Sequence, residues 1–195
     1  MNTIIFATNN DNKVSEVRSI LDGKFRIFSL KEAGIDIDIP EPYETLEENA
    51  REKAIVIHRL TNENCFAEDT GLEVDSLNGE PGVKSAHYGG EGRSFEKNID
   101  KLLDKLAESK NRNAQFRTII CLICKGKEKI FEGICKGTII AERRGNSGFG
   151  YDPVFVPDGS SKTFAEMTMA EKNAFSHRNK AVEKLTNYLK NNPCT

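Results

Sequence analysis

Short apolar runs alternate with helical stripes along the first third of the chain. Thr3–Ala7 has the character of a buried strand, and Val14, Val17, Ile20 and Leu21 then fall on one face of a helix that Gly23 stops. Phe25–Leu30 predicts a second strand. Ile35, Ile37 and Ile39 alternate with Asp36 and Asp38 up to Pro40, the period of a half-buried strand or an extended edge. Thr45-Leu46-Glu47-Glu48 is a capping box, and the helix it opens can run to about residue 61.

Further on, Cys65–Ala67 predicts a strand that gives way to Glu68-Asp69. Leu72–Leu77 continues extended to an Asn78-Gly79 turn and Pro81-Gly82. Tyr88–Arg93 is a glycine-rich loop. Ser94 caps a helix with an apolar stripe of Phe95, Ile99, Leu102, Leu103 and Leu106. Ala114–Cys124, Lys129–Cys135 and Gly137–Ala141 predict an antiparallel meander. A loop at Arg144–Asp152 and a short strand at Pro153–Val156 follow. The capping box Thr168-Met169-Ala170-Glu171 opens a final helix carrying Ala181, Leu185 and Leu189. With no repeat or linker, residues 1–195 read as a single domain. The expected fold is α/β (mixed α+β): a mixed β-sheet flanked by helices, compatible with a split into two lobes around a cleft.

Composition narrows the partners. The 195 residues carry a net charge of -2 with charges mixed along the chain, and no basic tract argues for nucleic acid. A polyanionic ligand would need local positive charge or a metal. The start of the chain has neither a basic leader nor a long apolar stretch, so the reading is cytoplasmic, with no membrane span. Five scattered cysteines read as reduced thiols. Cys121 and Cys124 have C-x-x-C spacing but lie on a predicted strand, where positions three apart face opposite sides, so they read as core rather than zinc ligands.

Several polar clusters could carry chemistry. Glu68-Asp69 followed by Thr70-Gly71 suits a hydrated divalent cation at the carboxyl end of a strand, or simply an acidic turn. Thr8-Asn9-Asn10-Asp11-Asn12-Lys13 precedes a helix whose N-terminal amides suit phosphate, with Asn10 or Asp11 as a plain cap the alternative. Glu41 is the preferred further carboxylate, with Glu44 open beside it; Lys53 lies two turns into the next helix. In Ser147–Pro153, Phe149, Gly150, Tyr151 and Asp152 could meet a planar base or the core. Lys172, His177 and Arg178 offer donors to a base oxygen or a phosphate.

In this order the clusters resemble the inosine triphosphate pyrophosphatase family, hydrolases of deaminated purine nucleoside triphosphates. The matching segments are Ala7-Thr8-Asn9-Asn10 with Lys13, Glu48-Asn49-Ala50 with Lys53, and Ala67-Glu68-Asp69-Thr70-Gly71. Pro81-Gly82 with Ser85-Ala86, Gly148–Pro153, and Glu171-Lys172-Asn173 with Ser176-His177-Arg178 complete the set. Asn9 stands where many members carry glycine, and Glu68 where others carry aspartate. The resemblance implies that Thr8 through Lys13 line the triphosphate. It implies that Glu41, Glu68 and Asp69 hold Mg²⁺, with Asp69 as base for the attacking water and Lys13 and Lys53 in the catalytic network. Thr70, Phe149 through Asp152, Lys172, His177 and Arg178 would contact the nucleotide, Phe149 by stacking. A homodimer is also implied.

The chemistry is coherent on its own terms. Mg²⁺ takes oxygen ligands and retains waters, and it can act as a Lewis acid and acidify a bound water. No covalent route fits better, because Ser176 and His177 are helix neighbours pointing about 100° apart. Deamination turns the donor at C6 of adenine into an acceptor, and Arg178 or His177 aimed there would favour inosine and xanthosine. Arg178→Ala would then raise KM for ITP far more than it altered thermal stability. Hydrolysis of pyrimidine triphosphates and non-catalytic nucleotide binding are the alternatives.

Overall fold

A computed structural model describes residues 3–21 and 25–194. Its strands are β1 (Thr3–Phe6), β2 (Arg26–Ser29), β3 (Cys65–Val74), β4 (Pro81–Gly82), β5 (Asn113–Cys124), β6 (Lys127–Ile139) and β7 (Phe155–Pro157). The helices are α1 (Asp11–Leu21), α2 (Leu46–Thr61), α3 (Phe95–Lys105), α4 (Met169–Phe175) and α5 (His177–Asn191). Strand order is β2-β1-β3-β5-β6-β7, with β4 paired to β3. The fold is mixed α/β, as expected.

The chain divides into two compact units. The first comprises Met1–Asp69, Thr118–Gly133 and Arg178–Thr195. Here β1 runs parallel to both β2 and β3, with Ile4 opposite Ile27 and Phe6 opposite Phe66. Its core joins Val14, Val17 and Leu21 of α1 to Leu185 and Leu189 of α5 and to Ile120 and Leu122 of β5. The second comprises Thr70–Arg117 and Ile134–His177. There Ile99 and Leu102 of α3 pack with Leu72, Phe116, Ile139 and Phe164. A Cβ at Gly71 would lie 2.7 Å from the Gly82 carbonyl oxygen, so β3 and β4 can approach only over a glycine.

Several predicted boundaries move. Ile35, Ile37 and Ile39 are half-buried and their aspartate neighbours exposed, but no partner strand is recruited and the segment stays irregular. The second and third runs of the meander merge into β6. The final helix is two, because Ser176 leaves helical geometry with ψ of 133°. Gly23, the predicted stop of α1, lies outside the described residues. Among the described residues, no helix is long and apolar enough to cross a membrane.

The reduced-thiol reading is corrected at one pair. Cys124, the last residue of β5, forms a disulfide with Cys194, their Cα atoms 5.5 Å apart. A sequence separation of 70 gave no spacing signal for this bond. Cys65 and Cys121 do remain buried thiols, and burial pushes both up to about 12, where little thiolate forms at neutral pH.

Candidate active site

Glu68 and Asp69 do not end a strand. They sit in the middle of β3, which continues to Val74. Alternation along a strand sends neighbouring side chains to opposite faces, and the two carboxylates accordingly have separate partners.

Glu68 is buried and receives a forked contact from Arg178, Nε to Oε2 at 2.9 Å and Nη2 to Oε1 at 2.8 Å. The Lys13 ammonium lies 3.2 Å from Oε1. Arg178 also donates through Nη1 to the buried carboxylate of Glu16. Burial alone would push Glu68 up, but Arg178 and Lys13 outweigh it and hold the carboxyl far below the usual carboxylate range. This is a closed ionic cluster from α1, β3 and the start of α5. Arg178 is only 1% exposed, so its guanidinium is committed to two carboxylates rather than presented to a base.

Asp69 faces a different set. Lys53 of α2, itself buried, lies 3.1 Å from Asp69 Oδ1 and also donates to Glu41. Burial raises the Asp69 pKa, the neighbouring Glu41 charge adds to it, and the Lys53 and Lys13 charges oppose it. Lys53 is held protonated, because both carboxylates outweigh the burial that would lower it. Two carboxylates thus converge on one ammonium.

The expected trio of Glu41, Glu68 and Asp69 is therefore split: Glu41 stands with Asp69, while Glu68 stands with Lys13 and Arg178. Among the described residues, no group of three or more His, Cys, Asp or Glu side chains is placed to hold a metal ion. Magnesium needs less than that from protein when substrate phosphates supply further oxygens, since one or two carboxylates suffice. The Glu41–Asp69 pair, drawn together by a cation, fits such an ion. Glu68, neutralised by a guanidinium and an ammonium, does not.

The β1–α1 loop is organised by Asn10. Its Oδ1 accepts from the backbone amides of Asn12 at 3.0 Å and Lys13 at 3.2 Å, while its own amide donates to Thr8 Oγ1 at 3.2 Å. The capping alternative is thus what the amides show. Asn9 Nδ2 donates to the Ile37 carbonyl at 2.9 Å, and Asp11 and Asn12 are exposed.

In the second unit, Lys172 and Asp152 form a buried pair at 2.6 Å. The ammonium lies 5.2 Å from the centroids of both Phe149 and Phe164. Asp152 Oδ2 also accepts from the Phe149 amide at 2.9 Å, fixing the loop's shape. Gly148 has φ of +79°, and a Cβ there would meet that carboxylate at 2.1 Å, so the turn requires glycine. Phe149 remains half-exposed and tilts against Phe95. Tyr151 and His177, both expected at the ligand, are buried side chains. The Tyr151 hydroxyl donates to the Ser85 carbonyl at 2.9 Å, and the His177 ring stacks on Phe116 at 4.6 Å. Half-buried Thr70 and Gly150 lie on β3 and in the Phe149 loop.

Residues 4–188 match the model of the Ham1 family. The chain belongs to the Ham1 family. It is 48% identical over 188 residues to the dITP/XTP pyrophosphatase of Flavobacterium psychrophilum, covering 96% of this chain and 99% of that one. It is also 48% identical over 190 residues to the dITP/XTP pyrophosphatase of Porphyromonas gingivalis, covering 97% and 98%. Among solved structures, the Staphylococcus aureus Ham1 protein superposes with a TM-score of 0.87 at 37% identity, covering 97% of this chain and 99% of that one. A HAM1 protein from Coxiella burnetii gives 0.89 at 34% identity, covering 98% and 100%. The resemblance carried by the six sequence segments is borne out.

One residue of this Ham1 chain's ionic cluster escaped sequence reasoning. Glu16 lies one turn after Lys13 and is buried. The i,i+3 spacing of a lysine and an acid was the available signal.

Proposed function

We propose that this chain hydrolyses deaminated purine nucleoside triphosphates (ITP, dITP and XTP) to the nucleoside monophosphate and pyrophosphate, with Mg²⁺ as cofactor. Membership of the Ham1 family and the naming of its relatives as dITP/XTP pyrophosphatases support the substrate class. The observation that carries the mechanism is the convergence of exposed Glu41 and buried Asp69 on the buried Lys53 ammonium.

Glu41 and Asp69 would hold the magnesium, which supplies charge neutralisation on the phosphates and a more acidic water. Asp69 takes the proton of the attacking water. Lys53 holds both carboxylates in place through its contacts with them. Lys13, 17% exposed and anchored on Glu68, offers its charge to the triphosphate. In the second unit, Phe149 gives the purine a stacking face, and Asp152 fixes the Lys172 ammonium beside that ring as a donor for a base oxygen. Adenine would present an amino group to that donor, whereas hypoxanthine and xanthine present an acceptor. The family resemblance also makes a homodimer the expected assembly.

A panel of purine and pyrimidine triphosphates assayed with Mg²⁺ tests this reading. ITP, dITP and XTP should be turned over with kcat/KM at least about 10²-fold above ATP, CTP and UTP. A preference for a pyrimidine, or binding of ITP with no turnover, would overturn it. Phe149→Ala should raise KM for ITP about 5- to 100-fold, the worth of one base–aromatic stack, with a smaller change in kcat. An unchanged KM would return Phe149 to the packing against Phe95.

A further inference from the structure

The loop that carries Glu41 has little to hold it in place. Residues 41–45 are exposed and belong to no regular element, yet Glu41 must meet Lys53 and stand beside Asp69. Pro40 and Pro42 flank Glu41 and restrict the backbone on both sides. Fixing the backbone just beyond Pro42 therefore fixes Glu41 as well.

Asn49 does that. Its side chain is 1% exposed and bonds to both backbone groups of Tyr43. The Tyr43 amide donates to Asn49 Oδ1 at 3.0 Å, and Asn49 Nδ2 donates to the Tyr43 carbonyl at 3.0 Å. The amide side chain acts as one more peptide unit, closing a two-bond bridge on a single residue. Asn49 also stands one helical turn before Lys53 on α2, so the two share a face. One grips the loop's backbone and the other the loop's carboxylate. Buried asparagines commonly only satisfy nearby backbone. Here the satisfied residue is two positions from the carboxylate paired with Asp69.

We propose that Asn49 is a positioning residue that sets magnesium affinity by holding Glu41 beside Asp69 and Lys53. This rests on the magnesium reading of that pair. Asn49 touches neither substrate nor metal, so its loss loosens a ligand without removing one.

The test compares wild type with Asn49→Ala in two measurements: hydrogen exchange at the Tyr43 amide without ligand, and ITP turnover titrated with MgCl₂. The variant should exchange the Tyr43 amide faster and need about 10- to 100-fold more Mg²⁺ for half-maximal rate, the usual effect of losing a residue that orients a metal ligand. Its kcat at saturating Mg²⁺ should return to within about threefold of wild type. Tyr43→Ala keeps both backbone bonds and should leave the magnesium dependence unchanged. Should Asn49→Ala be insoluble, Asn49→Leu keeps the approximate shape without adding charge, loses both bonds to Tyr43, and should move both readouts the same way. Faster exchange with unchanged magnesium dependence would overturn the positioning role and leave the proposed function standing. A wild-type rate indifferent to magnesium would overturn the metal reading and this inference with it.

Discussion

Replacing Arg178 with alanine is expected to lower folding stability by about 3–5 kcal/mol, the usual cost of removing one partner from a buried ion pair. The substitution would leave Glu16 and Glu68 buried without the guanidinium that bridges them. Denaturant unfolding checks it: the midpoint should fall with the slope unchanged. An unfolding free energy within a few tenths of a kcal/mol of wild type would show that Arg178 contributes nothing net to the folded state. The sequence alone pointed the other way, to a large effect on KM and a small one on stability. The difference arises because His177-Arg178 reads as a polar pair at a helix start, and no local pattern says that Glu16 and Glu68 are waiting for the guanidinium.

Asp69→Asn should leave the protein folded and lower kcat about 10²- to 10⁴-fold, the range for loss of a positioned general base. Asparagine keeps the volume and one acceptor oxygen for Lys53, and Lys53 keeps Glu41 as its counter-ion. Stability should therefore change far less than for Arg178→Ala. Full kinetics for ITP with the variant, alongside its unfolding curve, separate the two effects. A rate within about threefold of wild type would remove Asp69 from the proton transfer.

Much of the fold could be read in advance from periodicity and caps. The Thr45 capping box and the apolar stripe of α3 located their helices to within a residue or so, because each is a local signal. The run from Asn113 to Ile139 was legible as hairpin strands, since tight polar turns flank β-branched stretches. What stayed hidden was long-range. β3 continues through Glu68 and Asp69 because pairing partners sustain it, although those residues have poor strand propensity. The segment 35–39 has strand periodicity but no partner, so it never pairs. Cys124 and Cys194 meet only through the packing of α5 on β5.

The candidate site divides along the same line. Lys13, Lys53, Glu41 and Asp69 were recognisable by residue type and order, and the structure brings the last three together. Glu68 was grouped with Asp69 because they adjoin in sequence, yet strand alternation is the reason they part. Tyr151 and His177 were attractive as polar aromatics in polar surroundings, and only tertiary packing against Ser85 and Phe116 shows them to be core. Phe149, flanked by glycines, is half-exposed.

Central to the proposed function is a magnesium-assisted attack that releases pyrophosphate from a deaminated purine triphosphate. Separating and identifying the products of ITP, with Mg²⁺ and again after its removal by EDTA, tests this most directly. Equal amounts of IMP and pyrophosphate, formed only with the metal, are the predicted result. IDP with orthophosphate, or an undiminished rate in EDTA, would contradict it.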